Sequence, residues 1–369
     1  MSREETKRPL YQSMFEQLSQ DVLAGRYKPG QKFPSEAALM KRFGVSRITA
    51  GRAVRELQQA GLVERVAGSG TYVRDASRRP RDGLLFGLLI PNLGDTEIFE
   101  PICQGIAASP EANGHALLWG HADARNLSKG EQALQLCRQY VARSVSGVFF
   151  APLELSAESA EVNARVMKML RKAEIPVVLL DRRPEGDLRD GERCDLVGID
   201  NHRAGRVAAE HLLRLGSRRV GFFGYEGQAS TVRTRIAGYK EALQEAGADA
   251  GRVFLAPPGE RPEAPPAADD CDAFVCANDR VAGELMHALL ARGVRVPQEV
   301  RLVGIDDVNY ASLLPVPLTT VSQPCRDIGE TALRVMLERL DRPKAPARDV
   351  LLDCKLVVRK SCGAASSSL

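Results

Sequence analysis

Residues 272–307 read DAFVCANDRVAGELMHALLARGVRVPQEVRLVGIDD, and their pattern sets the fold class. An apolar run, AFVCA, ends on Asn278 and Asp279; a stretch of helical character follows, and a second apolar run, LVGI, ends on Asp306 and Asp307. Two short buried strands joined through a helix make a βα unit whose strands lie parallel in one sheet. The rhythm extends upstream through LLFGLLI from 84, HALLW from 115, GVFF from 147, PVVLL from 176, LVGID at 196, RRVGFFGY at 218 and RVFLA at 252. Helical stretches such as EQALQLCRQYVARS and ARVMKMLRKAEI lie between. So many strands suit two doubly wound lobes with a cleft between them, since single cores stop growing near roughly 250 to 300 residues. A helix over 324–341 and a strand over 350–358 complete this body, and the terminal GAASSSL reads as unstructured.

Ligands of parallel sheets lie at the carboxyl ends of the strands, and those ends are polar here. Asp181 follows PVVLL, Asn278 and Asp279 follow FVCA, Asp306 and Asp307 follow LVGI, and Asn92 and Asp95 follow LLIP. A single such residue serves as a helix N-cap as readily as it meets a ligand. Four polar strand ends together favour a pocket, with Asp279 and Asp307 assigned to capping. Phe99, after the first strand, offers a ring to the apolar face of a ligand; Trp119 and Tyr225 are weaker candidates.

Charge is segregated. The first 82 residues carry 16 Lys and Arg against 9 Asp and Glu, whereas the rest carry 35 against 38. A basic head on a mildly acidic body favours a polyanionic partner, because phosphate neutralisation and counterion release drive nucleic-acid binding. In the head, Leu10, Met14, Leu18 and Val22 recur at helical spacing between Pro9 and Gly25. Ser35 can cap a second helix that carries Leu39 and Phe43 and stops at Gly44; Ser46 can cap a third, with Ala53, Val54 and Leu57 inward. Two short helices across a brief turn make a helix-turn-helix. LVERVAGSGTYV then reads as a hairpin tipped by Gly68, Ser69 and Gly70, a wing. Arg47, at the start of the third helix, can fork onto guanine O6 and N7, while Ser35, Ser46 and Thr49 combine capping with phosphate contact.

PSEAALMKRFGVSRITAGRAVRELQQAGLVERVAGSGTYV, residues 34–73, resembles the GntR-type winged helix-turn-helix, and the likeness spans about residues 8–75. It implies a third helix in a major groove, with Ser35, Glu36, Ser46, Arg47, Thr49, Arg52, Gly68, Ser69 and Gly70 at the DNA. The chain departs from the pattern at Ala37, where many members have Arg, and at Gly51, where a basic residue is frequent. Arg52 is the cation nearest the second gap, and Gly51 weakens the helix by about 1 kcal/mol relative to Ala. The operator preference of relatives therefore does not transfer.

The body resembles the LacI-type regulator domain, related to periplasmic sugar-binding proteins, over about residues 84–358. IPVVLLDR, VGIDNHRAGRVAAEHLLRLGSRRVGFFG, TRIAGYKEAL, PLTTVSQP and the opening stretch carry the likeness. It implies that Asp181, Arg235, Asn278 and Asp306 touch an effector, with Asp95 and Phe99 beside them; carboxylates, a guanidinium and an amide suit a polyol. Ala151 stands where some relatives present Asn. The fold class is thus α/β: an N-terminal winged helix-turn-helix (1–75), a linker (76–83) and a two-lobed periplasmic-binding-protein-like domain of doubly wound parallel sheets (84–358). The first lobe is drawn as roughly 84–195 plus 324–345, the second as roughly 196–322 plus 349–358, and 359–369 form a tail.

This combination resembles the arabinose repressor group of bacterial regulators. It implies a homodimer on palindromic operator DNA, released by a small sugar-like effector; an activator, a corepressor-dependent regulator with a non-sugar effector, and a solute-binding protein are the competing readings. No GxSxG, Walker, GxGxxG or HExxH pattern supports an enzyme, and five His and eight Cys lack metal-ligand spacing, so no metal or cofactor is expected. With no apolar run of roughly 18 residues and no hydrophobic leader, the reading is cytoplasmic and without a membrane partner.

Overall fold

A computed structural model describes residues 10–23, 25–28, 30–59, 62–66, 69–73, 83–90, 97–120, 127–154, 158–184, 193–226, 229–248, 251–257 and 270–364. The chain separates into two compact units, Met1–Gly83 and Leu84–Leu369. In the first, α1 (Leu10–Leu23), α2 (Glu36–Phe43) and α3 (Arg47–Gln59) enclose Met14, Leu18, Val22, Leu39, Ala53, Val54 and Leu57, all buried. The Asp21 carboxylate, 5% exposed, accepts from Arg26 at 2.8 Å and Arg42 at 2.9 Å and so braces α1 against α2. The hairpin pairs β1 (Val63–Val66) with β2 (Gly70–Val73) in antiparallel register. Phe33 N donates to Thr71 O at 2.7 Å and Val73 N to Gln31 O at 2.8 Å, which fastens the hairpin to the segment before α2.

The second unit contains two six-stranded sheets. One has the order β13-β7-β6-β5-β3-β4, built from β3 (Leu85–Leu89), β4 (Ala116–Trp119), β5 (Gly147–Phe150), β6 (Val177–Leu180), β7 (Asp195–Ile199) and β13 (Asp349–Leu352), all parallel. The other, β14-β12-β11-β10-β8-β9, is built from β8 (Val220–Tyr225), β9 (Arg252–Ala256), β10 (Ala273–Cys276), β11 (Arg301–Asp306), β12 (Thr319–Ser322) and β14 (Lys355–Val357). Only β14 runs antiparallel there. Continuous apolar strands such as GVFF, VVLL and AFVC are buried at every position, as both faces of a parallel sheet require.

Several boundaries differ from the sequence reading. The strand at 195–199 lies in the first sheet, hydrogen bonded beside β6, so the chain leaves that lobe at Asp200 and not before 196. The expected strand over 350–358 is two strands in different sheets, with the chain passing between lobes at Asp353 and Cys354. Residues 319–322, not read as a strand, form β12. The start of the supposed tail is packed: Ser361 is fully buried and its Oγ donates to Leu302 O at 2.7 Å while accepting from Thr319 N at 2.8 Å. Of the linker 76–83, only Gly83 is among the described residues.

One close helix pair fixes each lobe. In one lobe α4 (Phe99–Ala108) packs on α10 (Cys325–Asp341), and in the other α7 (Asn201–Arg214) packs on α8 (Ser230–Glu245). Both crossings run through glycine. A Cβ on Gly205 would stand 1.9 Å from Arg235 O, and one on Gly238 would stand 1.9 Å from His202 O. Gly205→Ala should therefore destabilise the body by about 3 kcal/mol or more through overpacking against rigid backbone. Gly283→Ala, whose new methyl would meet only the flexible Leu314 side chain at 3.3 Å, should stay within about 1 kcal/mol. Urea titration of the two variants distinguishes these outcomes.

Candidate functional site

The head presents the start of α3. Ser46 Oγ accepts from Thr49 N at 3.3 Å and lies 3.0 Å from Thr49 Oγ1, which closes the first turn of the helix. Ser35 Oγ caps α2 in the same way, accepting from Ala38 N at 3.3 Å. The Arg47 side chain is 83% exposed, tethered among the described residues by Glu36 Oε2 at 3.7 Å from its Nε, so a partner can displace the tether at small cost. Arg52 is engaged elsewhere: its guanidinium sits 3.9 Å from the Tyr11 ring centroid and donates to Tyr11 Oη at 3.2 Å. Its place beside Gly51 thus serves the joint between α1 and α3. At the wing, Ser69 is exposed with Oγ 2.7 Å from Tyr72 Oη, Gly70 begins β2 at φ 128°, and Gly68 lies outside the described residues.

In the body, the carboxyl ends of β6 and β11 and the flank of α8 bring Asp181, Asp306 and Arg235 together. Arg235, 4% exposed, donates from Nε to Asn201 Oδ1 at 2.9 Å, from Nη1 to Ala277 O at 2.7 Å, and from Nη2 toward Asp306 Oδ1 at 3.4 Å. Gln323 Nε2 donates to the same Asp306 oxygen at 2.7 Å. Burial pushes the Asp306 carboxyl up to about 6, with Arg235 and Gln323 pulling it down and Asp181 adding repulsion. Desolvation together with both carboxylates raises the nearby Cys325 thiol to about 12. Asp181, Asp306 and Asp307 all have positive φ (67°, 130° and 60°), a backbone region that costs a residue with a Cβ on the order of 1 kcal/mol or more. The strands end in strain that turns these side chains onto the cleft.

A cavity of about 530 Å³ opens beside them, between the start of α4 (Glu97, Glu100, Gln104) and the loops after β11 and β12 (Asp306, Asp307, Asn309, Gln323). Two acceptors and one donor here are buried without a hydrogen-bond partner among the described residues: Asp181 Oδ1, Gln323 Oε1 and Arg182 Nε. Such orphaned acceptors ordinarily mark a place where a ligand or water donates.

The remaining expected residues behave differently. Asn278 Oδ1 caps α9 (Asp279–Ala291) by accepting from Val281 N at 2.9 Å, and only its amide Nδ2 is left for other partners. Phe99 is 3% exposed, packed in the core with the Arg182 guanidinium 5.6 Å from its ring centroid, and is not among the residues that line the cavity. Stacking on a ligand would require uncovering a ring that the helix uses as core. Asp95 lies outside the described residues. Trp119, 59% exposed, is on edge strand β4, and Tyr225 donates to Glu284.

Asp279 and Asp307 are not helix caps. Asp279 is fully buried, accepting from Thr320 Oγ1 at 2.5 Å and Val308 N at 3.0 Å, and desolvation lifts it to about 7. Asp307 accepts from Arg359 Nη2 at 2.6 Å.

Gln323, Asn201, Glu154 and Arg182 are site residues that the sequence reading did not single out. Glu154, beyond β5 in one lobe, accepts from Ser230 N at 2.9 Å and Ser230 Oγ at 2.8 Å in the other. It thereby caps α8, whose own N-cap residue, Ala229, has no side-chain hydrogen bond. Arg182 Nη1 holds Glu154 at 2.9 Å and lies 3.4 Å from Asp181 Oδ2. The signal was adjacency: Arg182 follows Asp181, and Gln323 is the polar residue at the β12 exit.

Among known families, residues 10–73 match the bacterial regulatory proteins of the gntR family, and residues 209–362 match the periplasmic binding protein-like domain. The arabinose metabolism transcriptional repressor of Geobacillus stearothermophilus is 26% identical, over 96% of this chain and 97% of its own. The HTH-type transcriptional regulator GntR of Pseudomonas aeruginosa is 30% identical, over 89% of this chain and 95% of its own. A crystal structure of a LacI family transcriptional regulator from Enterococcus faecium with bound ribose is 22% identical, covers 75% of this chain and 98% of that one, and superposes with a TM-score of 0.60. That last likeness is one of fold.

Glu154→Ala would strip Arg182 of a buried partner and leave α8 uncapped. Loss of one member of a buried pair costs about 3 to 5 kcal/mol. Ser230→Ala, which keeps the carboxylate and its bond to the backbone amide, should cost about 1 kcal/mol. Thermal unfolding of the two variants, recorded side by side, should show this ranking; equal losses would show that the bridge is not held as described.

Proposed function

The chain belongs to the family of bacterial HTH-type transcriptional regulators that join a gntR-type head to a periplasmic binding protein-like body, and on that premise we propose a repressor whose grip on operator DNA is set by a small carbohydrate held between the two lobes. It acts by binding and not by catalysis, in keeping with the regulators it resembles. The head supplies Arg47 as the base reader: an exposed guanidinium at a helix start can reach guanine O6 and N7 together. Ser35, Ser46 and Thr49 sit at helix starts where backbone amides and hydroxyls meet phosphate. Two copies of the chain reading two half-sites would make the operator palindromic.

The effector half rests chiefly on one observation, the pair of buried, partnerless acceptors, Asp181 Oδ1 and Gln323 Oε1, beside the fixed Asp306–Arg235 pair. Vicinal hydroxyls supply the donors that such acceptors lack. The full-length likeness to an arabinose metabolism repressor supports a carbohydrate over a purine. An effector that binds one arrangement of the lobes better than another shifts the population toward it, and coupling of about 1 to 3 kcal/mol changes operator affinity by roughly 5 to 150-fold.

Arg47→Ala should abolish retention of operator fragments in gel-shift assays while leaving sugar-induced thermal stabilisation intact. Arg235→Ala should do the reverse, binding operator without responding to effector; release by sugar in that variant would refute the pocket. The pH dependence has a defined sign. A carboxylate that accepts hydroxyl protons binds effector in its ionised form, so affinity should be full above pH 7 and fall as pH drops through about 6, where Asp306 protonates. Calorimetry from pH 5 to 8 measures this, and a flat profile would remove Asp306 from the contact.

A further inference from the structure

Resting on the carbohydrate reading, we propose that the cleft selects neutral or amino-bearing polyols and rejects sugar acids and sugar phosphates. The argument begins with the charges that line the cavity. Among the described residues, Glu97, Glu100, Asp306, Asp307 and Asp327 face a single lining cation, Arg326. The neighbouring guanidiniums are already committed: Arg235 to Asp306, Asn201 and the Ala277 carbonyl; Arg182 to Glu154; Arg359 to Asp307; Arg280 to Glu284. Arg326 itself donates to Gln104 Oε1 at 3.2 Å. An incoming anion would meet Glu97, Glu100 and Asp327, for which the one lining cation, Arg326, is too little countercharge, while Asp306 and Asp307 already hold Arg235 and Arg359.

The orphaned acceptors point the same way; the orphaned donor, Arg182 Nε, belongs to a guanidinium already paired with Glu154. Asp181 Oδ1 and Gln323 Oε1 are acceptors, Gln323 is 5% exposed and lines the cavity, and Asp181 is 6% exposed. Both require donors. A hydroxyl or an ammonium provides them, whereas a carboxylate or phosphate contributes only further acceptors at the same place. Like charges at contact distance in a partly desolvated site repel strongly enough to change affinity by at least about tenfold.

The test uses the full chain and a panel matched in stereochemistry and differing in charge: galactose and glucose, galactosamine and glucosamine, galacturonate and glucuronate, and the two hexose 6-phosphates, with arabinose and xylose as smaller neutral probes. Thermal shift followed by calorimetry at pH 7.5 reads the ranking. Neutral or amino sugars should bind, with the uronate and phosphate of the same sugar at least about tenfold weaker. The exposed pair Glu97→Gln with Asp327→Asn should narrow that ratio, raising the affinity of the uronate and the phosphate relative to that of the neutral sugar. A uronate or phosphate that binds as tightly as its neutral parent overturns the charge selection and leaves the carbohydrate reading standing. Silence across the whole panel overturns both.

Discussion

Backbone on backbone, with no side chain between, is the contact on which the body depends. At the α7–α8 crossing Gly205 lies against the carbonyl of Arg235 and Gly238 against that of His202; at the α4–α10 crossing Gly105 lies against the carbonyl of Arg326 and Gly329 against that of Ile102. Each lobe uses the same device on the helix pair nearest the crossover. Because α8 can approach that closely, the Arg235 guanidinium reaches Asn201, Ala277 and Asp306 at once, at the start of α7 and at the ends of the central strands β10 and β11. Because α10 can approach α4, the residues that open α10 and those that open α4 line one cavity. The site is a product of helix packing before it is a set of polar residues.

Within that frame the carboxylates are held at different cost. Asp195, 2% exposed, is neutralised by the Arg339 fork at 2.8 and 3.0 Å and by Arg348 N at 3.0 Å, a buried ion whose acceptor sites are filled. Asp279 has two donors and no cation, and its carboxyl rises to about 7. Asp306 shares one guanidinium and one amide and rises to about 6, while Asp181 keeps an oxygen with no donor. Only the first is fully compensated. Unspent acceptor capacity, which lowers the stability of the unliganded chain, is what a donor-rich ligand restores, so the local imperfection and the binding function are one feature.

The sequence disclosed those parts whose signal is local. Apolar runs that end on Asp or Asn located the cleft wall, and caps at Ser35 and Ser46 located the helix starts of the head, because both rest on neighbours a few residues apart. What stayed hidden depends on partners distant in the chain. LVGID at 196 is as apolar as any strand and carries no mark of which sheet it joins; hydrogen bonding to β6 decides it. β12 is half threonine, and its buried face shows only once Asp279 and Ser361 are seen bonding Thr320 and Thr319. Arg52 read as a free cation because Tyr11, 41 residues away, is invisible to spacing. Phe99, next to the expected site by position, points its ring into the core.

The bridge through Glu154 ties the two lobes together at the edge of the same polar cluster. One carboxylate joins the lobes by taking both donors of Ser230, and the cation that holds it, Arg182, is also the neighbour of Asp181. A ligand that donated to Asp181 would compete with Arg182 for that carboxylate. The interlobe link and Asp181 therefore share a guanidinium. A coupling of this kind requires no long path: three side chains within ion-pair distance are enough to make occupancy of the cleft bias the relation of one lobe to the other.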